Sequence, residues 1–155
     1  MDLKVQVIAS NITNLTDARY FAAYGVQYLL FDLSEISIMA IEEIIDWVSG
    51  PKILLDIGAN HVDDIDEAVL KLKPYAIGSS DGINLSYLAG HVGLMDINRD
   101  SQGDTIFLEG HLYQAYTDST INLSHVILKG SNEAKTGYKS FEDLDDILEA
   151  LVIEY

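Results

Sequence analysis

An α/β architecture follows from three features of this 155-residue chain. Seven short apolar runs, at 5–8, 28–31, 53–55, 75–78, 92–95, 105–108 and 126–128, are each too short for a core helix and read as strands. Between most of them lie stretches with apolar residues on one helical face. No linker or low-complexity segment interrupts the alternation, so a single domain spanning 1–155 is expected.

The first stretch sets the pattern. Val5, Val7 and Ile8 form a β-branched strand that ends in Ser10 and Asn11. A helix follows over 14–25, with Asn14 or Thr16 as its cap, Asp17 in its first turn and Gly25 at its end. The apolar run 28–31 stops at Asp32. Strand, helix and strand within about thirty residues make a βαβ unit, which implies parallel strands and a right-handed crossover.

The same logic runs on. After a turn at 33–37, residues 38–48 carry Ile41, Ile44, Ile45 and Val48 on one face, closed by Gly50 and Pro51. The strand 53–55 ends at Asp56, and the helix 63–72 turns Ile65, Val69 and Leu72 inward before Pro74. A weak fourth strand at 75–78 precedes a single helical turn at 83–88, and the fifth strand ends at Asp96. Only residues 97–104 then separate it from the sixth, too few for a parallel crossover, so a hairpin or a bare coil is expected there. A short helix is expected near 112–116. The last helix, 141–152, turns Phe141, Leu144, Ile147, Leu148 and Leu151 to one side, with Ser140 as its cap.

Composition narrows the function classes. The formal charge is −16, from 25 acids against 9 bases, a field that repels nucleic acid and anionic membranes. No apolar run approaches the roughly 18 residues of a membrane helix, and no secretory signal is visible at the start. Cysteine is absent, which removes disulfides, thiolate nucleophiles and cysteine metal sites. A cytoplasmic protein is the default expectation. The alternation would also suit a doubly wound sheet, but there is no Gly-rich dinucleotide or P-loop fingerprint, and no cofactor is implied.

The strand ends share a polar pattern. Asp32, Asp56, Asp96 and Glu109 each follow an apolar run directly, while Ser10, Ser79 and Lys129 end the others. In α/β folds that edge of the sheet is where sites are built. Converging carboxylates could bind a hard cation, hold an amine, or supply a proton-shifted acid. They could equally cap turns or pair with Lys129. His61, His91, His111 and His125 show no ligand spacing, and His111 reads as a loop residue.

Both ends of the chain resemble phosphoribosylanthranilate isomerase, a barrel enzyme of tryptophan biosynthesis. The residues that carry the resemblance at the first end are Ile12-Thr13-Asn14, Asp17-Ala18, Gly25 and the second strand through Phe31, with Asn60 two residues after Gly58. At the other end they are Glu133, Gly137, Lys139 and the helix from Phe141. The resemblance covers about a third of the chain. It implies a shortened or incomplete (β/α) barrel of the TIM type, with about seven parallel-type strands and helices missing from its second half, since such barrels usually need about 200 residues or more.

The implied chemistry is an Amadori aldose-to-ketose isomerisation of a phosphoribosylamine. The family's cysteine base falls on Ser10, its neighbouring glycine on Asn11, and its acid on Glu109. Ser10, Glu109 and Asp96 are thus the candidate acid–base set. Serine departs from the pattern because its hydroxyl titrates far from neutrality. The family's arginine after the second strand has no counterpart in 33–37. Gly130 and Ser131, with Lys129 beside them, occupy the place of the phosphate site, so the ligand would be a sugar phosphate. The alternative is a barrel-derived binding or assembly module without catalysis, as a homodimer. Tyr113, Tyr116 and Tyr138 could stack on an aromatic substrate such as an anthranilate ring; in the non-catalytic reading they would cover core left bare by absent helices or form a subunit contact.

Overall fold

β1 (Gln6–Ser10) is buried from Val7 to Ser10, as a central parallel strand must be. The computed structural model describes residues 2–100, 103–108, 111–115, 125–130 and 141–153. α1 (Leu15–Ala23) starts at Asn14, whose side-chain oxygen accepts from the Asp17 amide at 2.8 Å. β2 (Tyr28–Asp32), α2 (Ile38–Asp46), β3 (Lys52–Asp56), α3 (Val62–Leu72) and β4 (Ala76–Gly78) continue the alternation. Ser37 caps α2 by accepting from the Ala40 amide, so the turn before that helix is also its start signal.

The second half departs from helical alternation. A single 3₁₀ turn, Ser86–Leu88, precedes β5 (Gly93–Asp100). β5 pairs antiparallel with β6 (Gly103–Leu108), so the short connection is a hairpin. β6 pairs antiparallel with β7 (His111–Ala115), and β7 lies parallel to β8 (His125–Lys129). The helix expected near 112–116 is therefore a strand over its described part, and His111 opens that strand instead of sitting in a loop. Its backbone groups pair with β6 on one side and β8 on the other, which the local helical pattern cannot foresee. The strand count among the described residues is eight instead of about seven.

Six strands, in the order β8-β1-β2-β3-β4-β5, run parallel in a curled half-barrel, the arrangement of a shortened β/α barrel. β6 and β7 lead from β5 back to β8, and the hydrogen-bonded order closes on itself. Alternate residues divide between two cores. Ile8, Leu30, Leu54, Met95, Ile106 and Ile127 pack with one another inside the ring. Val7, Ala9, Leu29, Leu55, Ile77 and Val126 pack outward with Phe21, Ile41 and Ile65 of the helices. Gly78 makes the inner packing possible: a Cβ there would lie 2.5 Å from the Met95 carbonyl oxygen and 2.9 Å from Met95 Cγ.

No helix is needed over β5. Met95 and Ile97 are buried while Asp96 and Asn98 are exposed, the alternation of a strand wetted on one face. Over residues 95–98 the outer face is thus polar, while Leu94 on that face is half-buried against the outer core. Tyr113 is the register partner of Ile106 in β7, while Tyr116 and Tyr138 lie outside the described residues.

α4 (Glu142–Leu151) returns to the start of the chain. Its cap position is Phe141, with no side-chain cap bond; Ser140, expected there, lies outside the described residues. The Phe141 ring stacks on Tyr20 of α1 at 3.9 Å. Tyr20 and Tyr24 both donate their hydroxyls to Asp145. Burial, then the Asp145 carboxylate, pushes the Tyr20 hydroxyl well above the usual tyrosine range; Tyr24 is raised for the same reasons. The Lys4 amide donates to the Leu151 carbonyl at 2.7 Å, joining the two ends.

Candidate functional site

The seam between the first and last strands is the best-defined part of the barrel mouth. Ser10 and Lys129 are register partners at the C-terminal ends of β1 and β8. They share the inward parity of Ile8 and Ile127, so the seam opens toward the ring interior. Ser10 is 1% exposed and its hydroxyl donates to the Leu128 carbonyl at 3.4 Å. Lys129 is exposed.

Beyond the strands the chain is tightly knotted by polar groups. Asn11 has φ of 56°, a left-handed conformation that asparagine tolerates better than most residues. Its side-chain amide donates to the Gly130 carbonyl at 3.2 Å, and the Gly130 amide donates to the Ser10 carbonyl at 2.9 Å. That amide is therefore taken up by the strand ladder. Ser131, its neighbour in the expected phosphate site, lies outside the described residues.

Gly130 has another reason to be glycine. A Cβ there would stand 2.5 Å from Asp17 Oδ2 and 3.2 Å from the Asn11 carbonyl oxygen. Asp17 is fully buried, and its Oδ2 accepts from the Asn14 side-chain amide at 3.3 Å. A buried acidic side chain thus sits under the mouth, against Gly130. The sequence treats Asp17 only as a first-turn acid. The Asn14-x-x-Asp17 spacing, a cap followed three residues later by an acid, is the sequence signal for this pairing of side chains.

The strand-end carboxylates separate into two groups. Asp32 and Asp56 are register partners on the inward face. Asp32 Oδ1 accepts from the Ser34 amide at 2.9 Å and from its hydroxyl at 2.6 Å. Asp56 is fully buried, and its Oδ1 accepts from the Gly58 amide at 3.0 Å and the Ser80 amide at 3.1 Å. Both are turn-forming groups that fix the loops of the mouth. Ser79 ties the same two loops together by donating to the Gly58 carbonyl at 2.8 Å.

Asp96 does not join them. It lies inside β5, pairs in register with Phe107, and is exposed between inward Met95 and Ile97. The hairpin with β6 extends β5 to Asp100, so the apparent strand end at Asp96 is mid-strand and the side chain faces away from the ring. Glu109 lies outside the described residues. Among the described residues no group of three or more His, Asp or Glu is placed to hold a metal ion, and no helix is long and apolar enough to cross a membrane.

The arrangement offers a buried hydroxyl, an exposed ammonium and loops braced by carboxylates at one mouth. No family model, no curated protein and no solved structure matches the chain.

Proposed function

We propose that this chain is a shortened, divergent barrel of the phosphoribosylanthranilate isomerase type, binding a sugar phosphate at its mouth and isomerising it with a weakened acid–base pair. The observation that supports this most is the β1–β8 seam. The N-terminal Ile12-Thr13-Asn14 segment and the exit of the last strand carry the resemblance, and Ser10 and Lys129 stand beside each other at their junction. Asn11 adds to it, since the position matching the family's glycine has a left-handed backbone.

In this reading Ser10 stands where the C2 proton would be removed, Glu109 protonates the sugar ring oxygen, and Lys129 attracts the phosphate. Phosphate contacts would come from Lys129 and from amides beyond Gly130. The weak point is Ser10, whose hydroxyl is a poor base and already donates to a backbone carbonyl.

Loss of phosphoribosylanthranilate fluorescence with purified protein tests the proposal. Slow turnover is expected from the native chain. Ser10→Cys, which restores a group titrating near neutrality, is expected to raise kcat/KM by about 100-fold, as a positioned general base typically does. Turnover by neither form would end the isomerase reading.

A second reading has its own support: a non-catalytic binding or assembly barrel. The occupied Ser10 hydroxyl and the outward Asp96 both favour it. It would give saturable ribose 5-phosphate binding or a concentration-dependent dimer with no reaction in either form.

A further inference from the structure

A second concave site lies outside the ring, between α1 and α2. It is a cavity of about 300 Å³, at the lower end of small-molecule sites. Leu15, Ala40, Ile44 and Trp47 supply its apolar wall, and Glu43 is the charged residue in its lining. Asn14, already the cap of α1, adds a polar edge.

Trp47 is unusual in its setting. It is 68% exposed, although an indole is the side chain that gains most from burial. Met39, Glu43 and Trp47 fall at four-residue spacing, so they share one face of α2 and its continuation. Met39 is 69% exposed as well. Trp47 thus stands beside Glu43 in the cavity lining, with exposed Met39 one turn further along the same helix face.

The electrostatics select the sign of the occupant. No basic side chain lines the cavity, and no ion pair or hydrogen bond engages Glu43 among the described residues. The chain as a whole carries −16, which concentrates cations and repels anions at its surface. An indole face attracts a cation, and this one already does so: the Arg19 guanidinium carbon stands 5.7 Å from the ring centroid. The same charge argues against a second copy of the chain as the occupant.

We propose that this groove binds a small organic ammonium with an apolar body, its charge between the Glu43 carboxylate and the Trp47 indole and its body against Leu15, Ala40 and Ile44. The groove meets the polar network under the mouth only at Asn14, and its binding needs no reaction there.

Trp47 is the chain's only tryptophan, so its fluorescence reports on this groove alone. Phenethylammonium is the probe, with 2-phenylethanol and 3-phenylpropionate as its neutral and anionic counterparts. A saturable change with the amine is expected, at least about tenfold tighter than with either counterpart, the factor for a charge-assisted contact. Glu43→Gln should weaken the amine about tenfold while leaving the melting temperature unchanged. No saturable change, equal binding of all three compounds, or amine binding indifferent to Glu43→Gln would each overturn the proposal. So would a lysine-bearing peptide that binds where the free amine does not, since the groove would then belong to a macromolecular partner.

Discussion

Replacing Gly130 by alanine tests the construction of the mouth most directly. The added methyl would lie 2.5 Å from Asp17 Oδ2, 3.1 Å from Asp17 Cγ and 3.2 Å from the Asn11 carbonyl oxygen. None of these can yield cheaply. Asp17 is fully buried and its backbone and side chain are both bonded to Asn14, while Asn11 is held by its own bond to Gly130. Overpacking of this kind costs about 1–3 kcal/mol, and shifting a buried carboxylate places the value in the upper half, about 2–3 kcal/mol. For a domain of this size that is a fall of roughly 4–12 °C in Tm. Urea or thermal unfolding followed by circular dichroism gives the number. The cause is isolated by a double-mutant cycle with Asp17→Ala. If the methyl collides with the carboxylate, the double variant should be less destabilised than the sum of the singles by at least about 1 kcal/mol. A Gly130→Ala protein within about 0.5 kcal/mol of native, or strict additivity in the cycle, would refute the packing argument.

Other outcomes follow from the same geometry. Asp56→Ala strands the Gly58 and Ser80 amides, and should cost about 2–6 kcal/mol in chemical denaturation, from about 1–3 for each abandoned donor. Tyr20 and Tyr24 hold their protons above the ordinary tyrosine value near 10. The unfolded chain therefore loses those protons first, so the stabilisation is complete below about pH 10 and declines as pH rises beyond it. Tyr20→Phe should flatten that decline in unfolding measurements at alkaline pH; an unchanged slope would remove the Asp145 contact as its source. Lys129→Gln should weaken ribose 5-phosphate binding about tenfold in titration calorimetry, and equal heats from both proteins would place the phosphate elsewhere. Magnesium or calcium should leave Tm within about 1 °C, because Asp32 and Asp56 brace loops; a clear rise would restore a cation to the mouth.

Much of the candidate site was legible in the residues. Ser10, Asp32, Asp56 and Lys129 end strands as their positions after apolar runs suggest, because a strand leaving the core must turn polar where it meets solvent. What they do there was not legible. Asp56 and Asp32 have the same local signature as Asp96, yet two fold back on loop amides while the third lies on the outer face of a longer strand. That difference depends on β6, which prolongs β5 by pairing with it. The close approach of Gly130 to Asp17 spans more than a hundred positions and leaves no mark on either neighbourhood.

The sequence by itself determined the local order of this protein. The helices α1 to α4, their amphipathic faces and the strands before them follow from spacing, caps and breakers, all of which act within a turn or two of chain. It also set the sign of the surface field. Only the tertiary structure decided that the sheet returns from β5 to β8 through β6 and β7, that residues 111–115 are strand, and which polar strand ends look into the ring. Those outcomes are settled by hydrogen bonding and packing between distant segments, where a one-residue change of register turns every side chain to the opposite face.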